Sequence, residues 1–281
     1  MRELDVAKIT DAIHEMSISC NIVPGDDVKE SLRSFLEKEE SPLGREILEV
    51  VLENHATAES NRMPICQDTG VAVVFIDIGQ DVHLVGGYLE DAINEGVRRG
   101  YTEGYLRKSM VSDPVIDRKN TGDNTPAVIH ARIVPGDRVR IRFAAKGGGA
   151  ENMSEVRMMT AADGIEGVKD FVVDRVRRSG GNPCPPVVVG VGIGGDFEKA
   201  AMLAKEALFR PLGEPNHDPR YAAAEREILE RVNRLGIGPQ GLGGRTTALS
   251  VSIEFVPCHI ASMPVAVNIQ CHVHRHAERV I

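Results

Sequence analysis

The chain has 281 residues, 42% of them hydrophobic and 26% charged, with a formal net charge of -8. That is the balance of an ordinary soluble globular protein, with enough chain for one sizeable domain or two modest ones. The acidic balance and the lack of a long basic run exclude an obvious nucleic-acid binder, and no apolar stretch is long enough to span a membrane.

The opening Met1-Arg-Glu-Leu-Asp-Val6 has no apolar signal core, so a cytoplasmic enzyme is expected. The first sixty residues read as helical. Leu4, Ala7, Ile9, Ile13 and Met16 approximate a 3.6-residue period. Asp26 or Asp27 opens a second helix through Val28, Leu32, Phe35 and Leu36. Ser41-Pro42 reads as an N-cap followed by proline at the first helical position, leading into Leu43, Ile47, Val50 and Val51. Val71–Ile78 is apolar at every position but Asp77, the mark of a buried strand. A helix is predicted from about Leu89 to Lys108, then strands at Ala127–Val134 and Arg138–Ala145 joined by a Pro-Gly-Asp turn. Further helices are predicted at Gly164–Arg178, Phe197–Phe209 and Ala222–Leu235, with strands at Val187–Val189 and Thr246–Phe255. The fold class is α/β, with mixed sheets surrounded by helices. We expect a single domain over 1–281, made of a helical part (1–60) and an α/β part (61–281).

The five cysteines show no close pairing and do not make a disulfide framework. Three lie in loops of Gly, Pro and polar residues: Cys66 in Pro-Ile-Cys-Gln-Asp-Thr-Gly, Cys184 in Gly-Asn-Pro-Cys-Pro-Pro, and Cys271 in Asn-Ile-Gln-Cys-His. Structural cysteines usually sit in apolar runs. Three loop thiolates suit three irons of a [4Fe–4S] cluster and leave the fourth iron open as a Lewis acid. Three glycine-rich segments accompany them. Lys146-Gly-Gly-Gly149 and Gly238 to Thr247 are either tight turns at strand ends or arrays of backbone N–H groups for carboxylate oxygens. Gly190-Val-Gly192-Ile-Gly-Gly195 matches G-x-G-x-x-G literally, but the chain then lacks the second strand and acidic residue of a dinucleotide site. Gly194-Gly195-Asp196 reads instead as close backbone approach to a site and a helix cap.

In these stretches the chain resembles the iron–sulfur hydro-lyases of the class I fumarate hydratase type. The matching segments are Pro64–Gly70, Lys146–Gly149, Asn182–Pro186, Gly192–Gly195, Gly241–Thr247 and Pro264–Cys271, in the family's order. The family has fused single-chain members and split members with α and β subunits. This chain stops soon after Cys271, so the resemblance implies an α subunit that needs a β subunit carrying the second domain. It also implies an α dimer within an α₂β₂ heterotetramer. The implied reaction is the reversible hydration of fumarate to L-malate, a tricarboxylic acid cycle step, with L-tartrate dehydratase as the alternative. A cluster-free binding subunit and an NAD-type oxidoreductase are the competing classes.

The resemblance assigns cluster ligation to Cys66, Cys184 and Cys271. Cys258, thirteen residues before Cys271, is the rival third ligand, and Cys20 lies in a helical, core-like context. Gln67 and Asp68 match active-site polar groups, and His259 a histidine near the substrate. Arg107 matches an arginine that clamps a substrate carboxylate, for which a planar guanidinium is suited. Gly148 is expected to offer its backbone N–H to the small dicarboxylate. The proton-accepting base is expected in part on the β subunit. His272-Val-His274-Arg-His276 departs from the family's usual ending. A zinc site there is the rival reading; without H-E-x-x-H, a surface tail or a β-subunit contact is preferred.

Overall fold

The computed structural model covers residues 1–281. In chain order its elements are β1 (Arg2–Asp5), α1 (Ala7–Ile22), α2 (Asp26–Lys38), α3 (Pro42–Asn61), β2 (Val71–Gly79), β3 (Val82–Val85) and α4 (Leu89–Glu103). There follow β4 (Val128–Val134), β5 (Val139–Lys146), α5 (Gly148–Glu151), β6 (Glu155–Met159), α6 (Gly164–Ser179) and β7 (Val187–Gly195). The last are α7 (Phe197–Ala207), α8 (Pro219–Asn233), β8 (Ala248–Cys258), β9 (Met263–Gln270) and β10 (His276–Val280). The class is α/β with mixed sheets, as the sequence predicts. No helix is long and apolar enough to cross a membrane.

The chain divides into two compact units. The first holds Met1–Gly25, His55–Gly148 and Arg275–Ile281, and the second Asp26–Asn54 and Gly149–His274. The helical first sixty residues are therefore shared between both units.

In the first unit a four-stranded sheet has the order β10-β5-β2-β4. β2 is the buried centre, antiparallel to β5 and parallel to β4. The strands expected at 127–134 and 138–145 exist but do not pair with each other, because β2, apolar along nearly its whole length, takes the place between them. Its one carboxylate, Asp77, is buried and ion-paired by Arg132 of β4 and Arg142 of β5. Ile9, Ile13 and Met16 of α1 and Ile93, Val97 and Tyr101 of α4 share a core with Val74, Ile76, Ile141 and Phe143. Leu4 belongs to β1, not to the first helix; β1 pairs in parallel with β3, a strand too short to show in the sequence pattern. α4 stops before its expected end, where Tyr105 takes a positive φ of 53° and Leu106 turns back into the core.

In the second unit the sheet order is β6-β9-β7-β8. β7 is longer than expected and contains the whole Gly190–Gly195 motif. Its residues alternate between faces. Val189, Val191 and Ile193 pack with Val168, Phe171 and Val172 of α6 and with Ile228 and Val232 of α8. Gly190 and Gly192 face α7: a Cβ on Gly190 would lie 2.0 Å from the Ala204 carbonyl oxygen, and one on Gly192 2.1 Å from that of Ala200. These glycines let a helix approach a strand and leave no phosphate loop, which removes the dinucleotide reading. The cap is as expected, with the Asp196 carboxylate accepting the Lys199 N–H at 2.8 Å. Ser41 likewise caps α3, its hydroxyl accepting the Gly44 N–H at 3.2 Å.

Gly190→Ala is expected to cost about 3 kcal/mol through overpacking against α7. Urea unfolding measures this, and a variant as stable as the wild type contradicts the close approach of α7 to β7.

Candidate active site

In the first unit the Cys66–Gly70 segment turns into β2, and its side chains are held individually. Cys66 is half-buried, and its thiol donates to Gln67 Oε1 at 3.2 Å. Both carboxylate oxygens of Asp68 accept backbone N–H groups, Oδ1 from Gly70 at 3.0 Å and Oδ2 from Gly148 at 2.9 Å. The Asp68 carbonyl accepts from the guanidinium of Arg275, which is 2% exposed and also reaches Asn21 Oδ1 at 3.2 Å. Arg107, just beyond α4, is exposed, and its guanidinium has no carboxylate partner in the chain. The N–H of Gly148, expected to face a substrate, is instead given to Asp68.

In the second unit three motif loops meet at the start of β7. The Cys184 carbonyl accepts the His272 N–H at 3.3 Å and lies 3.0 Å from His272 Nδ1. The Pro185 carbonyl accepts both the backbone N–H of Gln240, at 2.7 Å, and its side-chain amide, at 2.9 Å. That amide also lies 3.1 Å from His272 Nδ1. The Cys184, Gln240 and Cys271 segments are thus stitched together. Cys184 and Gln240 both adopt a φ of +53°, uncommon for residues with side chains and found where surrounding contacts over-determine the backbone. A hollow of about 400 Å³ opens beside Gln240 and His272, walled by Leu43, Ile47, Val50 and Val51 of α3, with Glu46 and Asn54 among them. Aliphatic walls that carry a carboxylate of their own do not suit a dicarboxylate.

Register separates the remaining cysteine and histidine from this group. Cys271 follows Gln270, which pairs with Val188 just after Cys184, whereas Cys258 pairs with Gly195 at the far end of β7. Nine residues of strand put roughly 25 Å between the two ends. Cys258, whose thiol contacts the Ser262 carbonyl at 3.1 Å, is therefore not beside Cys184, and Cys271 is. His259 sits in the exposed β8–β9 turn next to Cys258, and within the chain it is not brought to Cys184 and Cys271. Cys20 is buried, and burial pushes its thiol up to about 12, which removes it as a thiolate donor. None of the five cysteines is in a disulfide. No three His, Cys, Asp or Glu side chains are gathered as they stand into a metal-binding group, the terminal histidines included. Those histidines are not a surface tail either: His274 is 3% exposed, and His276 opens β10 at the edge of a sheet.

The fumarate hydratase family model, described as "Fumarate hydratase (Fumerase)", matches residues 10–280. The chain belongs to this family. The "Putative L(+)-tartrate dehydratase subunit alpha" of Methanocaldococcus jannaschii is 42% identical to it over 275 residues, 96% of each chain. The L(+)-tartrate dehydratase subunit alpha of Escherichia coli K12 is 34% identical over 272 residues, 96% of this chain and 89% of the relative. Hydro-lyase chemistry is what the family and these names share.

One residue of this fumarate hydratase family member escapes sequence reading altogether. Glu39 lies in Lys38-Glu-Glu-Ser41, which looks like a solvated charge run, yet it is 3% exposed. Its carboxylate accepts the N–H groups of Ser41 at 3.0 Å, Arg245 at 2.9 Å and Thr246 at 2.7 Å, and so ties down the end of the Gly238–Thr247 loop. Burial alone raises its pKa. Hydrogen bonds from the Thr246 hydroxyl and from these amides outweigh burial and lower it from 4.5 to about 2. The folded value lies below the unfolded one, so the stabilisation is present above about pH 5 and is lost as pH falls toward 2. Glu39→Gln is expected to cost about 3 kcal/mol at pH 7, with the gap from wild type closing between about pH 4.5 and 2. Denaturant unfolding across that range measures it; a gap that does not change with pH contradicts the assignment.

Proposed function

We propose that this chain is the α subunit of a [4Fe–4S]-dependent hydro-lyase for a four-carbon dicarboxylate, with L(+)-tartrate ahead of fumarate and malate as its substrate. The sequence motifs put fumarate first. The names of the relatives reverse that order, and a tricarboxylic acid cycle role recedes with fumarate.

The observation that carries the reading is the gathering of Cys184, Gln240 and the Cys271–His272 segment at one end of the second unit's sheet. The donor chemistry fits the cluster. Cys66, Cys184 and Cys271 are loop cysteines with access to solvent and no disulfide partner. Of the other two, Cys20 is held as a thiol by burial, and Cys258 lies at the opposite end of β7. Cys66, Cys184 and Cys271 are therefore the residues that would hold the cluster. When bound, it supplies a Lewis-acid iron.

The chain's own residues do the rest of the binding. Arg107 presents an exposed guanidinium with no carboxylate of its own, ready for a bidentate hold on a substrate carboxylate. Gln67 offers an exposed amide beside the cluster cysteine. Asp68, with both oxygens held by backbone N–H groups, is fixed in place and orients its neighbours. Gly148 gives its N–H to Asp68 in the chain alone and keeps only the role that the resemblance gives it. His259 is not brought to the cluster cysteines of its own unit and keeps only the role that the resemblance gives it.

Dehydration needs a base for the C–H proton and shelter from water. A β subunit supplies these, as the "subunit alpha" names of the relatives suggest, in an assembly we read as α₂β₂. All 281 residues then form one α-subunit domain in the functional sense.

The test is steady-state turnover of the anaerobically reconstituted chain with its β partner on L(+)-tartrate, L-malate and fumarate. Turnover of L(+)-tartrate above both others is expected, falling in air and returning with Fe²⁺ and reductant. A preference for fumarate or malate overturns the substrate order. Absence of iron and of any turnover overturns the hydro-lyase reading in favour of a cluster-free subunit.

A further inference from the structure

Between α4 and β4 the chain runs through residues 104–127 without a helix or a strand of more than an isolated bridge. Loops of this length inside a compact unit are uncommon and usually functional. This one is internally ordered. Val111 bridges Asn120, the Ser112 N–H reaches the Lys119 carbonyl at 2.8 Å, and the Thr121 N–H reaches the Met110 carbonyl at 3.0 Å. Its tip, Val115 and Ile116, is exposed. Arg107 stands at its base.

That base is fastened to the Cys66–Gly70 segment by two buried side chains. Thr69 is 1% exposed, and its hydroxyl makes two bonds to one residue's backbone. It accepts the Arg107 N–H at 2.9 Å and donates to the Arg107 carbonyl at 3.2 Å. Asn124 is fully buried; its amide donates to the Gly70 carbonyl at 3.1 Å, and its Oδ1 accepts the Ser109 N–H at 2.7 Å. The buried Tyr101 hydroxyl completes the joint by donating to the carbonyls of Thr69, at 2.8 Å, and Gly70, at 3.1 Å. The Arg107 main chain is therefore tied on both its N–H and its C=O to the residue that follows Asp68. Its side chain is left without a partner.

We propose that Thr69 and Asn124 are positioning residues that set the reach of the Arg107 guanidinium for a substrate carboxylate. This rests on the reading of Arg107 as the carboxylate-binding arginine. A hydroxyl that both donates and accepts at one backbone site is replaced by serine but not by the isosteric valine, which leaves the Arg107 N–H and C=O unpaired. A guanidinium displaced by even an ångström loses bidentate geometry. The loss falls on substrate binding before it falls on turnover.

The experiment compares Thr69→Val, Thr69→Ser, Arg107→Lys and the double variant Thr69→Val/Arg107→Lys. Each is assayed as the reconstituted complex with the β subunit, on whichever of L(+)-tartrate and L-malate the wild type turns over. Thr69→Val is expected to raise KM about tenfold with kcat within about twofold, and Thr69→Ser to restore wild-type KM. On the Arg107→Lys background, Thr69→Val is expected to add less than about twofold, because the two changes remove one interaction. An unchanged KM in Thr69→Val, or an equal effect with and without the Arg107 guanidinium, overturns the proposal while leaving Arg107 its role. An unchanged KM in Arg107→Lys overturns the reading of Arg107, and the proposal with it. If Thr69→Val does not fold, Asn124→Asp carries the same cycle, since it keeps the acceptor for Ser109 and loses the donor to Gly70.

Discussion

Glycine-rich segments have few side chains with which to hold themselves, and in this protein buried or half-buried carboxylates do the holding. Asp68 takes the N–H groups of Gly70 and Gly148, one on each oxygen. Glu39 takes those of Ser41, Arg245 and Thr246. A charged acceptor makes stronger hydrogen bonds than a neutral one, and several donors on one carboxylate offset the cost of burying it. A lost carboxylate here leaves more than one backbone N–H without its acceptor. The shape of both motif regions depends on this arrangement, and so does the chemistry assigned to them.

Much of the fold is legible in local patterns. The apolar run at Val71–Ile78, the Ser41-Pro42 start of α3 and the Asp196 cap of α7 each stand where periodicity and capping chemistry put them. What stays hidden is long-range. Nothing local says that β2 would come between β4 and β5, or that β6, β9 and β10 would find partners. The Gly190–Gly195 segment is the instructive case. Its spacing imitates a phosphate-binding loop, yet the alternation of valine and glycine records a strand with bulky residues toward α6 and α8 and none toward α7. Read at a period of two, the same residues point to close helix packing.

The site is legible by residue type and much less by arrangement. Loop position distinguishes Cys66, Cys184 and Cys271 from Cys20, and burial of Cys20 bears that out. The choice between Cys271 and Cys258 becomes physical only through strand register, which places them at opposite ends of one sheet. Motif picks out Gln67, Asp68 and Arg107, but not the residues that support them. Thr69 lies in the Pro64–Gly70 motif with no role of its own there. Asn124 lies in a loop without periodicity, Arg275 in a histidine-rich run that resembles a surface tail, and Glu39 in a charge run of the kind usually solvated. Supporting residues act through contacts distant in sequence, and no spacing rule announces them.

The proposal that Cys66, Cys184 and Cys271 hold a [4Fe–4S] cluster is decided by iron and acid-labile sulfide content after anaerobic reconstitution, compared between Cys271→Ser and Cys258→Ser. Cys258→Ser is expected to keep the full wild-type content and Cys271→Ser to lose stable cluster. Full cluster content in Cys271→Ser, with or without loss in Cys258→Ser, overturns the assignment.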